Sequence, residues 1–139
     1  MRNEERLERL NVLLDELTEM CAGRSLLVEG FKDRMAMVLL GVNADMVCVQ
    51  SEGGPLRVAE RLSEKGTGAV IMTDWDKKGD DIATELEKAL SSVCVKYDSS
   101  MRQKLRSVCG NEIKNIESLP SFYSRLVTES VRRSERKDK

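Results

Sequence analysis

The sequence predicts an α/β fold with a mainly parallel four-stranded sheet flanked by helices. Two observations support this prediction. Four short apolar segments alternate with amphipathic segments of about ten residues, and glycine or proline stands at most of the junctions. Such alternation builds strand–helix–strand units, whose right-handed crossovers make the strands parallel. A chain of 139 residues is expected to form one domain.

The N-terminal segment is predicted to be a helix over residues 4–21. Its leucines recur three or four residues apart from Leu7 to Leu17, which gives one apolar face, and Gly23 ends it. We expect this face to pack on the sheet. A contact with a second copy is the alternative, so a homodimer stays open. The domain then consists of this N-terminal helix (1–21), a core (22–109), and a C-terminal helix with a basic tail (110–139).

Strands and helices alternate through the predicted core. The strands are short apolar runs, as expected where both faces of a parallel sheet are covered. Pro55 suits a first helical position, and Leu56, Ala59 and Leu62 are expected to face inward from the helix that follows. Predicted strands cover 25–28, 45–50, 69–73 and 92–97, and predicted helices cover 31–40, 55–66 and 80–90.

Beyond the core, the pattern predicts two more helices. The first covers 99–109 and the second covers 120–133, and residues 113–119 between them are irregular or form a short strand. The charged end, residues 132–139, is expected to be frayed.

The composition limits the chemistry that the chain can perform. There is no histidine, which excludes Ser-His-Asp catalysis, Cys-His catalysis and any histidine base. The four cysteines have no zinc-ligand spacing and are expected to be small buried hydrophobic residues. Catalysis must therefore rely on carboxylates, lysine, tyrosine, cysteine or a bound metal ion.

Charge is unevenly distributed along the chain. Residues 1–95 contain 12 Lys and Arg against 18 Asp and Glu, whereas residues 96–139 contain 11 against 6. This asymmetry suits a protein that binds a metal ion in one part and a polyanion in another, and a solvated basic tail is the alternative. No segment resembles a membrane span or a secretory leader, so the sequence predicts a cytoplasmic protein without a membrane partner.

Two acidic motifs follow predicted strands. V-E-G-F-K-D begins at Val28, and T-D-W-D-K-K-G-D begins at Thr73. Because parallel strands end at the same edge of a sheet, Glu29, Asp74 and Asp76 are expected to face one cleft, with Trp75 pointing away. Gly30 is expected to let the backbone bend tightly behind Glu29. Carboxylates without histidine suit Mg²⁺ or Mn²⁺ rather than zinc.

These two motifs together resemble the Toprim domain. That domain is shared by primases, type IA and type II topoisomerases, OLD-type nucleases and the ribonuclease that matures 5S ribosomal RNA. The resemblance covers about residues 22–109, and the chain as a whole is similar to small stand-alone Toprim proteins of archaea related to that ribonuclease. It implies a Toprim-like, Rossmann-like fold with extra helices at both ends.

The resemblance also implies roles for individual residues. Glu29 would act as general acid or base in phosphodiester chemistry, and Asp74 and Asp76 would bind Mg²⁺ together with Glu29. One or two ions are implied, and Mn²⁺ is a substitute. Asp80 stands where several family members carry glutamate, and its shorter side chain argues against a ligand role. The supporting positions are Gly30, Asp33, Gly79 and Asp80.

The function implied is that of a Mg²⁺-dependent nuclease acting on nucleic acid, with structured RNA favoured over DNA. Lys32, Lys77 and Lys78 flank the carboxylates and would bind phosphate, or else are solvated loop lysines. Trp75 would pack between loop and helix, or stack on a base. The alternative function is that of a nucleic-acid-binding or scaffold protein that does not cleave. Whether the protein is active alone or acts together with protein partners stays open. A phosphatase of the Asp-x-Asp type is disfavoured, because D-W-D-K-K lacks the hydroxyl residue expected after the second aspartate.

Overall fold

The sheet contains four parallel strands, and its order places the first and third strands at the centre. The strands are β1 (Arg24–Val28), β2 (Asp45–Cys48), β3 (Gly68–Ile71) and β4 (Tyr97–Asp98). In this computed structural model, which describes residues 1–137, the order is β2-β1-β3-β4. The predicted α/β fold, Rossmann-like with a parallel sheet, is confirmed.

Helices cover both faces of the sheet. Helices α4 and α5 pack together on one face, and α1, α6 and α7 pack together on the other. Among residues 1–137, no helix is long and apolar enough to cross a lipid bilayer. The helices are α1 (Asn3–Met20), α2 (Phe31–Leu39), α3 (Val49–Glu52), α4 (Pro55–Lys65), α5 (Lys77–Ser92), α6 (Ser100–Cys109) and α7 (Leu119–Lys137).

Two hydrophobic cores result from the alternation of side chains along the strands. In β1, Leu26 and Val28 point to the core beneath α1, α6 and α7, and Leu27 points to the core beneath α4 and α5. Leu10, Leu13 and Leu17 of α1 are fully buried in the first core, and Leu7 is partly buried against it. The prediction that the N-terminal helix packs on the sheet is therefore confirmed.

The strand boundaries differ from the prediction by two residues or more in three strands. The third strand ends at Ile71 instead of residue 73. The second strand ends at Cys48, because Val49–Glu52 wind into the short helix α3. Of the predicted strand 92–97, only Tyr97 lies in a strand, because β4 covers Tyr97–Asp98. Helix α5 continues to Ser92, and the chain turns through Cys94, which has φ 57° and is exposed. The prediction of a buried cysteine is wrong for Cys94 and correct for the other three, Cys21, Cys48 and Cys109.

The last helix is longer than predicted. It runs to Lys137, so the expected fraying from residue 132 is wrong over residues 132–137, while Asp138 and Lys139 lie outside the described residues. Helix α7 packs along α1, and an ion pair of 3.1 Å between Arg133 and Glu4 joins the two near the end.

Within α4, the predicted inward face is only partly correct. Ala59 and Leu62 are buried as expected, but Leu56 is exposed. The segment between α6 and α7 is irregular, as predicted.

Candidate metal centre

The strand order creates a crevice at the carboxyl ends of β1 and β3. The chain moves to one side of β1 to form β2, and then crosses to the other side to form β3. Ligands of open α/β sheets bind at such reversals, because the helices diverge there. Glu29 directly follows β1, and Asp74 lies just beyond β3, so both stand at this edge.

Three carboxylates meet in this crevice. One oxygen from each of Glu29, Asp33 and Asp74 lies within 4.8 Å of the others. Glu29 and Asp33 are buried, and Asp74 is half-buried. The structure therefore brings together Glu29 and Asp74, as the sequence predicted, and adds Asp33 from the first turn of α2. We refer to these residues as the carboxylate cluster.

Backbone N–H groups hold each member of the cluster in place. The N–H of Asp74 donates to Oε2 of Glu29 at 2.8 Å, and the N–H of Ile116 donates to Oδ1 of Asp74 at 2.8 Å. The N–H of Gly30 donates to Oδ2 of Asp33 at 3.2 Å. These bonds orient the carboxylates without supplying a formal positive charge.

Burial and mutual repulsion make the cluster difficult to ionise fully. The pKa of Asp74 is raised to about 7, mainly because the carboxyl group is buried. The hydrogen bond from the N–H of Ile116 lowers this pKa, but by less than burial raises it. A hydrogen bond to Glu29 and the negative charges of Glu29 and Asp33 raise it further. Burial also raises the pKa of Asp33, whereas the hydrogen bond from the N–H of Gly30 lowers it by a smaller amount.

The cluster fits a hard divalent cation. Carboxylate oxygens are the ligands that Mg²⁺ and Mn²⁺ prefer. Among the side chains of residues 1–136, no lysine or arginine forms an ion pair with Glu29, Asp33 or Asp74. A cation held among these three side chains would supply the missing positive charge.

Asp76 and Asp80 stand apart from the cluster. Oδ1 of Asp76 accepts the N–H of Gly79 at 2.7 Å and so caps helix α5, although the charge of Asp76 is close enough to raise the pKa of Asp33. Asp80 pairs with Arg102 at 2.8 Å. Asp76 was predicted as a ligand, and the structure does not bring it into the three-carboxylate cluster.

Of the two glycines of the motifs, Gly79 is needed for space and Gly30 is not. The chain bends at Glu29 and Gly30, as predicted, although Gly30 itself has an extended backbone. A Cβ at Gly30 would lie 3.1 Å from the side-chain oxygen of Gln50, which could shift to make room. At Gly79, a Cβ would lie 1.8 Å from the carbonyl oxygen of Asp74. Helix α5 therefore approaches the chain at Asp74 too closely for any side chain at position 79.

The flanking side chains divide into exposed and buried groups. Lys32, Lys77 and Lys78 are exposed, and Lys32 lies 3.8 Å from Glu117. Trp75 is buried, and its Nε1–H donates to the carbonyl of Ile113 at 2.8 Å. Of the two roles considered for Trp75, the structure shows packing.

Sequence reasoning missed Arg102, which supports the site from behind. This buried arginine of α6 donates to the carbonyls of Thr73 and Asp74 and pairs with Asp80. It thereby fixes the backbone that carries Asp74. Its position beside Met101, on the otherwise apolar face of α6, was the available signal, because an arginine on an inner helix face needs buried partners.

The irregular segment 110–118 was also missed as part of the site. It binds the second motif through the N–H of Ile116, which contacts Asp74, and through the carbonyls of Ile113 and Lys114, which both accept from Trp75. No pattern in 110–118 indicates these contacts.

The raised pKa of Asp74 predicts a pH-dependent stability change. The folded state holds this proton up to about pH 7, whereas the unfolded chain releases it near pH 4. The free energy of unfolding should therefore fall as pH rises through this window. With a metal chelator present at pH 8, the free energy of unfolding of Asp74→Asn should exceed that of the wild type by about 1–3 kcal/mol, after allowance for solvent screening.

Urea unfolding of both proteins between pH 4 and pH 8 measures this difference. The advantage of Asp74→Asn should shrink toward pH 4, and Mg²⁺ should reduce it at pH 8 by stabilising the wild type. An advantage that does not change with pH would contradict the assignment.

Known proteins were compared with the chain as a whole. No family model matches it. It is 35% identical over 122 residues to a UPF0292 protein of Methanosarcina acetivorans, covering 87% of this chain and 84% of that protein. It is 31% identical over 126 residues to a UPF0292 protein of Thermococcus kodakarensis, covering 91% and 92%.

A solved structure of a protein from Aquifex aeolicus shares the fold. Its TM-score is 0.68 at 24% identity, with 78% of this chain and 96% of that chain covered. The identity and coverage of the sequence relatives show that the chain belongs to the UPF0292 family.

Proposed function

We propose that this protein is a Toprim-like, metal-dependent nuclease that cleaves phosphodiester bonds, with RNA favoured over DNA as substrate. The carboxylate cluster at the switch point of the sheet carries the proposal. Its oxygen-only donor set suits Mg²⁺, and its Glu29 and Asp74 coincide with the motif positions that resemble the Toprim domain. The chemistry that the cation supplies is activation of water and neutralisation of charge on phosphate oxygens.

The side chains of the cluster have separate tasks in this proposal. Asp33, Asp74 and Glu29 would hold the cation, and Glu29 would also serve as the general acid or base. Glu29 suits proton transfer because it is buried and its carboxylate is oriented by the N–H of Asp74. Asp76 holds the start of α5, which presents Lys77 and Lys78 to solvent near the cluster, where they can bind phosphate.

A cleavage assay tests the proposal. The protein is incubated with labelled structured RNAs, single strands and duplex DNAs, in Mg²⁺, in Mn²⁺ and in chelator. We expect metal-dependent cleavage of at least one substrate, and RNA should be cut faster than DNA. Binding without cleavage in either metal would support the non-cleaving alternative, and neither binding nor cleavage would exclude both.

The basic end of α7 is proposed to bind nucleic acid away from the cluster. Arg132 and Arg136 are exposed there, roughly 20–25 Å along the helix from its first turn at 1.5 Å per residue. Reversing both to glutamate should reduce the log–log salt slope of binding by about 1.4–1.8, since each neutralised phosphate contributes 0.7–0.9. Arg133 is left unchanged because it pairs with Glu4.

Titrations of a long and a very short substrate across a salt series measure this effect. The short substrate should be cleaved at the wild-type rate, because the cluster lies elsewhere. The matched control reverses Lys88, which is exposed on α5, and Lys96, which is exposed just before β4. If both double variants change the slope equally, the basic end acts only through net charge.

A further inference from the structure

Gln50 stands at the edge of the crevice, in the short helix α3 that directly follows β2. Strands β1 and β2 are neighbours, and their ends are in register, with Val28 opposite Cys48. Beyond these ends, the N–H of Gln50 donates to the carbonyl of Glu29 at 3.1 Å. Gln50 is therefore tied to the residue that supplies one of the three carboxylates.

The side-chain amide of Gln50 lies beside the carboxylate cluster. Its oxygen lies 3.1 Å from the point where a Cβ of Gly30 would stand. The N–H of Gly30 in turn donates to Oδ2 of Asp33 at 3.2 Å. With standard bond lengths, these two contacts place the amide oxygen within about 9 Å of that Asp33 oxygen. The nucleotides next to a phosphate bound at the cluster therefore come within reach of the amide.

The amide of Gln50 is available to a ligand. Gln50 is exposed, and among the side chains of residues 1–136 no group forms a hydrogen bond with its amide. A carboxamide both donates and accepts hydrogen bonds and carries no charge. Lysines attract any phosphate, whereas such an amide can distinguish between uncharged groups of a substrate.

We propose that Gln50 reads the ribose 2′-hydroxyl of a nucleotide next to the cleaved bond and so favours RNA over DNA. This role rests on the proposed nuclease function. A hydroxyl donates one hydrogen bond and accepts others, which the amide of Gln50 can match. The 2′-hydroxyl is also the group by which a protein distinguishes RNA from DNA at a given position.

The position of the amide favours the sugar over the base. Its oxygen lies close to the main chain at Gly30, next to Glu29, whose carboxylate belongs to the cluster. The backbone of a bound strand has to approach this level, because its phosphate must reach the cation. The sugars lie in that backbone, whereas the base edges that carry sequence information lie farther from it.

A double-mutant cycle between protein and substrate tests this role. The probes are the RNA hairpin that the wild type cleaves fastest, its all-DNA copy, and copies with one deoxynucleotide on either side of the cleaved bond. The wild type should cleave one single-deoxy copy about three- to tenfold more slowly than the RNA, as expected for one uncharged hydrogen bond. Gln50→Met, which keeps the size of the side chain, should cleave the RNA more slowly by the same factor. It should not distinguish that copy from the RNA.

Asn43→Leu is the matched control. Asn43 is an exposed amide two residues before β2, whereas Gln50 lies two residues after it, so the control changes the opposite edge of the sheet. Asn43→Leu should keep the wild-type rates and the wild-type preference for RNA. Circular dichroism melts should show that both variants, which change exposed residues, remain folded.

Binding provides a readout without cleavage. In a Glu29→Gln background with Mg²⁺, Gln50→Met should weaken binding of the RNA hairpin by about three- to tenfold and leave binding of its DNA copy unchanged. Three results would overturn the role of Gln50 and leave the nuclease intact: losses that multiply at both positions, equal losses on RNA and DNA, or a loss that follows the base instead of the sugar. A wild type that cleaves no nucleic acid would refute the proposed function, and this role with it.

Discussion

Replacing Gly79 with alanine should destabilise the protein by about 3 kcal/mol or more, as expected for a severe overpacking clash. The added Cβ would stand 1.8 Å from the carbonyl oxygen of Asp74. That carbonyl cannot easily withdraw, because Arg102 donates to it and to the neighbouring carbonyl of Thr73, and the Thr73 hydroxyl donates to the carbonyl of Gly79. Helix α5 and the strand exit must therefore separate.

A loss of stability in Gly79→Ala would show that the close contact outweighs helix propensity, which favours alanine over glycine. Gly79 lies inside α5, where alanine would ordinarily stabilise a helix by about 1 kcal/mol. Urea unfolding monitored by circular dichroism measures the change. Gly66→Ala is the matched control, because its Cβ meets nothing within 4 Å and only its positive φ costs about 1–2 kcal/mol. A Gly79→Ala protein as stable as the wild type would refute the close approach.

Replacing Glu29 with glutamine should reduce turnover by about 10²–10⁴-fold, the usual contribution of a general acid or base. Glutamine keeps an oxygen that can accept the N–H of Asp74, now received by Oε2 of Glu29 at 2.8 Å. The fold and the affinity for oligonucleotides should therefore change little. Single-turnover cleavage and binding titrations on the same substrate separate the two effects.

Glu117→Gln is the control for this substitution. Glu117 is an exposed carboxylate whose charge reaches Asp33, but it lies outside the cluster. Its loss should alter the rate by less than about threefold, as expected of a group that transfers no proton. Equal rates for Glu29→Gln and the wild type would remove Glu29 from the chemistry.

The sequence was sufficient where local pattern determines structure. The positions of Glu29 and Asp74 follow from two apolar strands that end at the same edge of a parallel sheet. The helical spacing of α1 likewise predicted its buried face, because one apolar stripe on a helix has to be covered.

The sequence was insufficient where side-chain direction depends on tertiary contacts. Asp76 was expected in the cleft on strand geometry, but the chain has left the strand by then, and Asp76 caps α5 instead. Asp33 entered the cluster because the first turn of α2 directs it there. Arg102 reaches Asp74 from 28 residues away in the chain, and no local periodicity encodes such a contact.

Titration with Mn²⁺, followed by the electron paramagnetic resonance signal of the free ion, tests most directly that the carboxylate cluster is a cation site. The wild type should bind Mn²⁺, and Asp74→Asn and Asp33→Asn should each weaken binding by at least about tenfold, since each removes a charged oxygen ligand. Asp76→Asn should have a smaller effect, because Asp76 caps α5, and Asp81→Asn, exposed on the same helix, should have none. Unchanged Mn²⁺ binding in folded Asp74→Asn and Asp33→Asn proteins would contradict the site.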